Sequence, residues 1–161
     1  MGIVIIGASG MLLQATEDIL KAGEAVIVCS RSEYKYKHLI DNFNNIDFFN
    51  LDFSEVNDYN KLLDYIESRN YNIDTIIAWI HSPYYGLFEN FLMKLRKEYI
   101  DIFLCRGSIN KNIEESNERY QKLYYIDLGY NVKDNRWFNN EEISNAVLEA
   151  YYNKQNVQLG N

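Results

Sequence analysis

The sequence predicts a doubly wound parallel α/β sheet, three layers deep, with about six strands in the order 3-2-1-4-5-6. Short apolar runs alternate with helix-length stretches along the whole chain. Several of those runs are nearly continuous in apolar residues, as strands covered on both faces are. The first run ends in two glycines three residues apart and passes straight into a helix-like stretch, "GIVIIGASGMLLQAT".

The strands in chain order are GIVIIG (2 to 7), AVIVCS (25 to 30), IDFFNL (46 to 51), IDTIIAW (73 to 79), IDIFLCR (100 to 106) and LYYIDLGY (123 to 130). Between the third and fourth, apolar residues at Val56, Tyr59, Leu62, Leu63 and Ile66 recur every three or four positions, which predicts an amphipathic helix opening at Glu55 with Ser54 as its N-cap. The final helix opens in "NNEEISNAVLEAYY", with Asn140 as the cap and Glu141 and Glu142 complementing the positive end of the helix dipole. No repeat, linker or Pro/Gly-rich hinge divides the chain, so residues 1 to 161 are expected to form one domain. Asparagine-rich clusters such as "NFNN" and "SRNYN" read as compositional bias and carry no functional weight.

Composition narrows the function. With 161 residues, 47% of them hydrophobic and 24% charged, the chain can bury a substantial core. A net charge of -7 without a basic patch argues against nucleic acid and anionic membranes as partners; small molecules and self-association stay open. No apolar segment approaches the roughly 20 residues of a membrane helix, and Glu17 and Asp18 follow the first run too soon for a signal peptide, so a cytoplasmic location is expected. Cys29 and Cys105 lack CxxC spacing and lie in strands, as small core residues do; no HExxH or Cys/His spacing predicts a metal.

A nucleotide diphosphate needs backbone N–H groups aimed at it and no side chain in its way, which a glycine turn at the start of a helix supplies. Gly7 stands at the strand end and Gly10 at the point of closest approach, while Leu13 occupies the place of a third glycine. Leu13 is expected to face the sheet interior, pushing the helix outward or being accommodated by small neighbours such as Ala15. After the second strand, Ser30 and Arg31 stand where an adenosine ribose would lie. An arginine there suits a 2'-phosphate, so NADP is expected rather than NAD. Asp52 either accepts from the adenine amino group or competes with Ser54 to cap the next helix. The "YKYKH" run (34 to 38) reads as a solvated face.

On "GASGML", the "SR" after strand two, the "LD" after strand three, "AWIHS" after strand four, "CRGS" at the end of strand five and "LGY" after strand six, the chain resembles the short-chain dehydrogenase/reductase superfamily. The resemblance implies a Rossmann fold, a nicotinamide cofactor and carbonyl or alcohol redox chemistry. It places Gly7, Ser9, Gly10, Met11, Ser30, Arg31, Asp52, Trp79 and His81 at the cofactor, and Ser108 where the family has its catalytic serine. The family's Tyr-x-x-x-Lys pair is missing: of the 14 tyrosines none has a lysine four residues later, and at the nearest in place, Tyr120, position 124 is another tyrosine. Only residues 107 to 122 separate strands five and six, too few for the family's long catalytic helix.

Ligands in such sheets bind at the carboxyl ends of the strands, toward which His81, Ser82, Arg106, Ser108 and Tyr130 are expected to project. His81 is the acid/base candidate because imidazole exchanges protons near neutrality; Ser108 and Tyr130 are the other catalytic candidates. In "DNRWFNNEE", Arg136 could clamp a carboxylate or phosphate while Trp137 stacks on a flat ring, but the plainer account is preferred, in which Trp137 anchors the loop in the core and Arg136 caps a neighbouring helix C-terminus. Two functions follow: an atypical NADP-dependent oxidoreductase with a non-standard proton donor, or a dinucleotide-binding module without turnover.

Overall fold

The computed structural model describes residues 2–7, 10–81, 83–95, 100–107 and 122–160. Their order along the chain is β1 (Gly2–Ile6), α1 (Leu13–Lys21), β2 (Ala25–Ser30), a 3-10 turn (Glu33–Tyr36), α2 (Lys37–Asn42), β3 (Ile46–Asn50), α3 (Val56–Ser68), β4 (Ile73–Trp79), α4 (Tyr85–Leu95), β5 (Asp101–Gly107), β6 (Lys122–Leu128), β7 (Tyr130–Asn131), β8 (Arg136–Trp137), α5 (Asn140–Asn153) and β9 (Val157–Leu159). The described residues form a seven-stranded sheet, β3-β2-β1-β4-β5-β6-β9, in which every pairing is parallel, and a small antiparallel β7-β8 hairpin. The six expected strands stand in the expected order.

The seventh strand was not expected. Val157–Leu159 returns from α5 to pair with Ile126–Leu128 of β6, and three residues are too few to show a strand's alternation. Just before it, the Asn156 side chain accepts a hydrogen bond from the Tyr125 N–H at 2.9 Å, satisfying a group on β6.

Strand alternation divides the core in two. Ile3 and Ile5 of β1 face α1 and α5 in one cluster; Val4 and Ile6 face α3 and α4 in the other. The helices meet the sheet through stripes at helical spacing: Ala15, Ile19 and Leu20 on α1; Tyr59, Leu62 and Ile66 on α3; Tyr85, Phe88, Phe91 and Leu92 on α4; Ile143, Ala146, Val147 and Ala150 on α5. Cys29 and Cys105 are buried, free thiols within these cores; burial raises both, Cys105 to about 12, which keeps them protonated and inert. No helix among the described residues is long and apolar enough to cross a membrane.

Several local expectations are corrected. Ser54 does not cap α3: the N-cap is Glu55, and the Ser54 hydroxyl donates instead to Asp52 at 2.6 Å. The cap of α5 is Asn139 rather than Asn140, because Asn139 and Glu142 stand three apart and close a capping box in which each side chain accepts the other's backbone N–H. In "YKYKH" Tyr34, Lys35, Lys37 and His38 are solvated as expected, and only Tyr36 departs, buried against Phe48. Leu13 does not face the sheet interior. That place belongs to Leu12, 2% exposed, while Leu13 packs half-buried at the margin of the same cluster. Leu12→Ala is therefore expected to cost about 2 to 5 kcal/mol in urea unfolding, and Leu13→Ala about 1 kcal/mol or less.

Candidate functional site

β1 and β4 are neighbours whose following helices lie on opposite faces of the sheet, α1 on one and α4 on the other, so a crevice opens between the chain segments leaving their carboxyl ends. Gly7 stands at its base. Its φ is +82°, its N–H donates to the Cys29 carbonyl at 3.1 Å, and a Cβ added there would lie 2.2 Å from the Trp79 carbonyl oxygen. Gly7 is thus required by the close approach of β1 to β4 and by its own left-handed backbone. Gly10 is different: it is exposed, outside the left-handed region, and an added Cβ would make only an ordinary 3.5 Å contact with Asn140 Nδ2. The fold leaves room for a side chain at Gly10 and has none. Among the described residues no packing contact requires this bare backbone at the mouth of helix α1, which fits a diphosphate cradle. Ala8 and Ser9 lie outside the described residues.

Helix α1 has no side-chain cap of its own at Leu12. The cap comes from α5, where the buried Ser144 hydroxyl accepts from the Ala15 N–H at 3.3 Å and donates to the Met11 carbonyl at 2.7 Å. One hydroxyl thereby fixes the glycine turn against the last helix, a long-range contact that sequence reading missed because nothing in Ser144's local pattern marks it.

Above the turn lies a crevice of about 360 Å³, lined by Met11 from the turn, Trp79, Ile80 and His81 after β4, Gly107 after β5, Leu128 and Gly129 after β6, and Trp137, Phe138 and Ile143 leading into α5. His81 stands where sequence reasoning put it. Its Nε2 accepts a 2.8 Å hydrogen bond from the Trp79 indole N–H, and Phe53 packs near its ring at 5.7 Å. An indole nitrogen can only donate, so Nε2 accepts and Nδ1 is the nitrogen left to carry the ring's N–H.

The other candidates divide. Ser82 and Ser108 lie outside the described residues. Arg106 does not enter the crevice: it is 4% exposed, forked onto Asp127 at 2.7 and 3.0 Å, and lies 3.6 Å above the Tyr125 ring. Alternation along β5 turns it to the α3/α4 face, leaving Gly107 at the crevice. Tyr130 is held in the β7-β8 hairpin, its hydroxyl donating to Asn135 at 3.0 Å, and does not line the crevice. Trp137 does line it, and at 66% exposure it is no core anchor; Arg136 caps no helix C-terminus but forks onto Glu142 at 2.7 and 3.3 Å in the first turn of α5. Phe138 was also missed, since one aromatic in a loop carries no periodic signal.

At the ribose end, the Ser30 hydroxyl is occupied by the buried Tyr36 phenol and by the Ser32 N–H at 3.4 Å; burial pushes the Tyr36 phenol up to about 12. Arg31 is exposed and in no ion pair among the described residues. Asp52 caps nothing: its Oδ1 accepts from both the N–H (2.9 Å) and the hydroxyl (2.6 Å) of Ser54, which hold its carboxyl below the ordinary aspartate value, with Arg31 adding a smaller electrostatic contribution. Oδ2 keeps its lone pairs for a ligand donor. Among the described residues no cluster of His, Cys, Asp and Glu could hold a metal.

A doubly wound parallel sheet with a bare glycine turn and an apolar crevice at the strand ends defines a Rossmann-like domain. No family model matches the chain, and no curated protein matches its sequence. Among solved structures it is similar to a short-chain dehydrogenase from Bacillus anthracis (TM-score 0.73, 14% identity, 99% of this chain and 94% of that one). It is similar also to Gre2 of Candida albicans, solved in complex with NADPH (TM-score 0.72, 11% identity, 99% and 78%). A short-chain dehydrogenase from Streptomyces avermitilis aligns with TM-score 0.56 and 12% identity over 66% of this chain, which spans 48% of that protein's length. The fold is that of the short-chain dehydrogenases and reductases, as the motifs implied.

Proposed function

We propose that residues 1–161 form a dinucleotide-binding domain that takes NADP(H) in this crevice and serves carbonyl–alcohol redox chemistry with a proton donor other than tyrosine. The observation that carries the reading is Gly10, bare and exposed at the start of α1 beside an apolar crevice, with no packing reason to be glycine. Gly10 and the N–H groups of the turn would hold the diphosphate, Arg31 the 2'-phosphate, Asp52 Oδ2 the adenine amino group, and Met11, Trp79 and His81 the nicotinamide end. When bound, the cofactor supplies or accepts a hydride. His81, whose Nε2 accepts from the Trp79 indole, would hydrogen-bond through Nδ1–H to a carbonyl oxygen in the crevice and stabilise the charge that develops there, with the proton that completes the alcohol coming from water. Ser9 and Ser108 belong to the same reading.

Arg31 gives the first test. NADPH should bind more tightly than NADH, and Arg31→Ala should remove most of that difference, about 10- to 100-fold in affinity, because a charge-assisted contact is worth about 1.5 to 3 kcal/mol. Equal affinities for the two cofactors in the unaltered protein would end the argument for NADP. The role of His81 is tested by consumption of NADPH with a carbonyl substrate. His81→Ala should slow it about 100-fold with NADPH affinity nearly unchanged; an unchanged rate would move the role to another group.

The absence of any Tyr-x-x-x-Lys in the sequence favours a second reading, a binding module that holds NADP(H) without turnover. Saturable NADPH binding without oxidation across a screen of carbonyl compounds would select it.

A further inference from the structure

Trp137 is the least explained residue of the crevice. Two thirds of its surface is open, yet its position is held from every side. It pairs with Tyr130 across the hairpin, and the Tyr130 ring meets the indole edge-to-face at 5.0 Å and 84°. The Tyr130 hydroxyl is tied to Asn135, the hairpin turn is closed by Asn131 and Asp134, and the adjacent Arg136 is forked onto Glu142. A large, rigid aromatic surface left in water contributes little to the fold and presents contact area to a ligand at small entropic cost.

The charges around it are equally informative. His81 is the one ionisable side chain among the described residues lining the crevice, and its Nε2 is taken up in accepting the Trp79 indole N–H. The nearby arginines are committed elsewhere, Arg106 to Asp127 on the opposite face of the sheet and Arg136 to Glu142 outside the lining. A carboxylate or phosphate entering this space would lose its water and gain no cation, whereas a neutral carbonyl needs one hydrogen-bond donor, which His81 supplies. The volume of about 360 Å³ stands at the small end of ligand pockets and suits ring-sized molecules.

We propose that the second occupant of the crevice is a flat, uncharged carbonyl compound stacked on Trp137, which makes Trp137 the residue that selects the substrate class. This rests on the NADP(H) reading above for the neighbour it sits beside. Acetophenone and benzoylformate share a ring and a ketone and differ in a methyl against a carboxylate, so they isolate charge. Each is titrated by calorimetry into the protein alone and into the protein saturated with NADP+, which cannot reduce them. Acetophenone should bind at least about 10-fold more tightly than benzoylformate in both settings. Trp137→Ala should weaken acetophenone about 10-fold while NADP+ affinity changes less than about twofold, and Trp137→Phe should keep most of the binding; circular dichroism verifies that both variants fold. Benzoylformate binding as tightly as acetophenone, neither ketone binding, or Trp137→Ala weakening NADP+ in place of acetophenone would each overturn the proposal. A failure of NADP+ alone to bind refutes the function proposed above, and acetophenone with the cofactor-free protein still decides the role of Trp137.

Discussion

Gly7→Ala is expected to destabilise the protein by about 3 to 5 kcal/mol, read as a lowered midpoint in urea unfolding. Two costs combine: a non-glycine residue at φ +82°, and a methyl placed 2.2 Å from the Trp79 carbonyl oxygen, a rigid backbone atom that cannot move without disturbing the β1–β4 pairing. For a domain whose whole stability is of the order of 5 to 15 kcal/mol, that is a large fraction. A midpoint close to that of the unaltered protein would mean that the strands do not approach this closely.

Gly10→Val is expected to do the opposite. Stability should change by about 1 kcal/mol or less, since the space around an added Cβ is open, but NADPH affinity should fall by at least about 100-fold because a branched side chain would stand against the diphosphate. The pair of variants separates packing from binding within one turn: loss of stability is expected at Gly7, loss of NADPH affinity at Gly10. If Gly10→Val unfolds the protein, the residue serves the fold after all; if the variant binds NADPH normally, no cradle lies there.

The division between what the sequence revealed and what it concealed follows from the range of the interactions. Strand positions were legible because several of the long strands, β1 and β2 above all, are nearly unbroken apolar runs, and a sheet covered on both faces demands that. The turn at Gly7 and Gly10 was legible as a turn, but the different duties of its glycines depend on Trp79 and Asn140, which lie far away in sequence. The cap of α5 was misplaced by one residue because Asn139 and Asn140 are identical candidates until Glu142 at N3 chooses between them. Leu12 and Leu13 pose the same ambiguity: only the helix's rotation about its axis decides which enters the core, and that is set by packing against α5 and the sheet.

The site was legible in part. His81 was found because it follows a strand whose carboxyl end faces the crevice, whereas its bond to Trp79, two residues earlier, depends on side-chain directions that a sequence does not state. Arg106 and Gly107 follow each other at the end of β5, so strand alternation decided which reached the crevice, and a half-buried aspartate partner on β6 held the arginine on the other face. Trp137 was misjudged because a tryptophan is usually buried; the hairpin of β7 and β8 that holds it out into the crevice wall is two residues to a strand, below what periodicity can register.

Occupancy of this crevice by NADP(H) is read by equilibrium titration of the purified protein with NADPH and with NADH, followed by cofactor and tryptophan fluorescence. Trp79 and Trp137, the chain's two tryptophans, both line the crevice, so an occupant should change their emission. Both cofactors are expected to bind saturably, with NADPH tighter by about 10-fold or more. An emission that does not change with either cofactor up to millimolar concentration, with no enhancement of NADPH fluorescence, would contradict that occupancy.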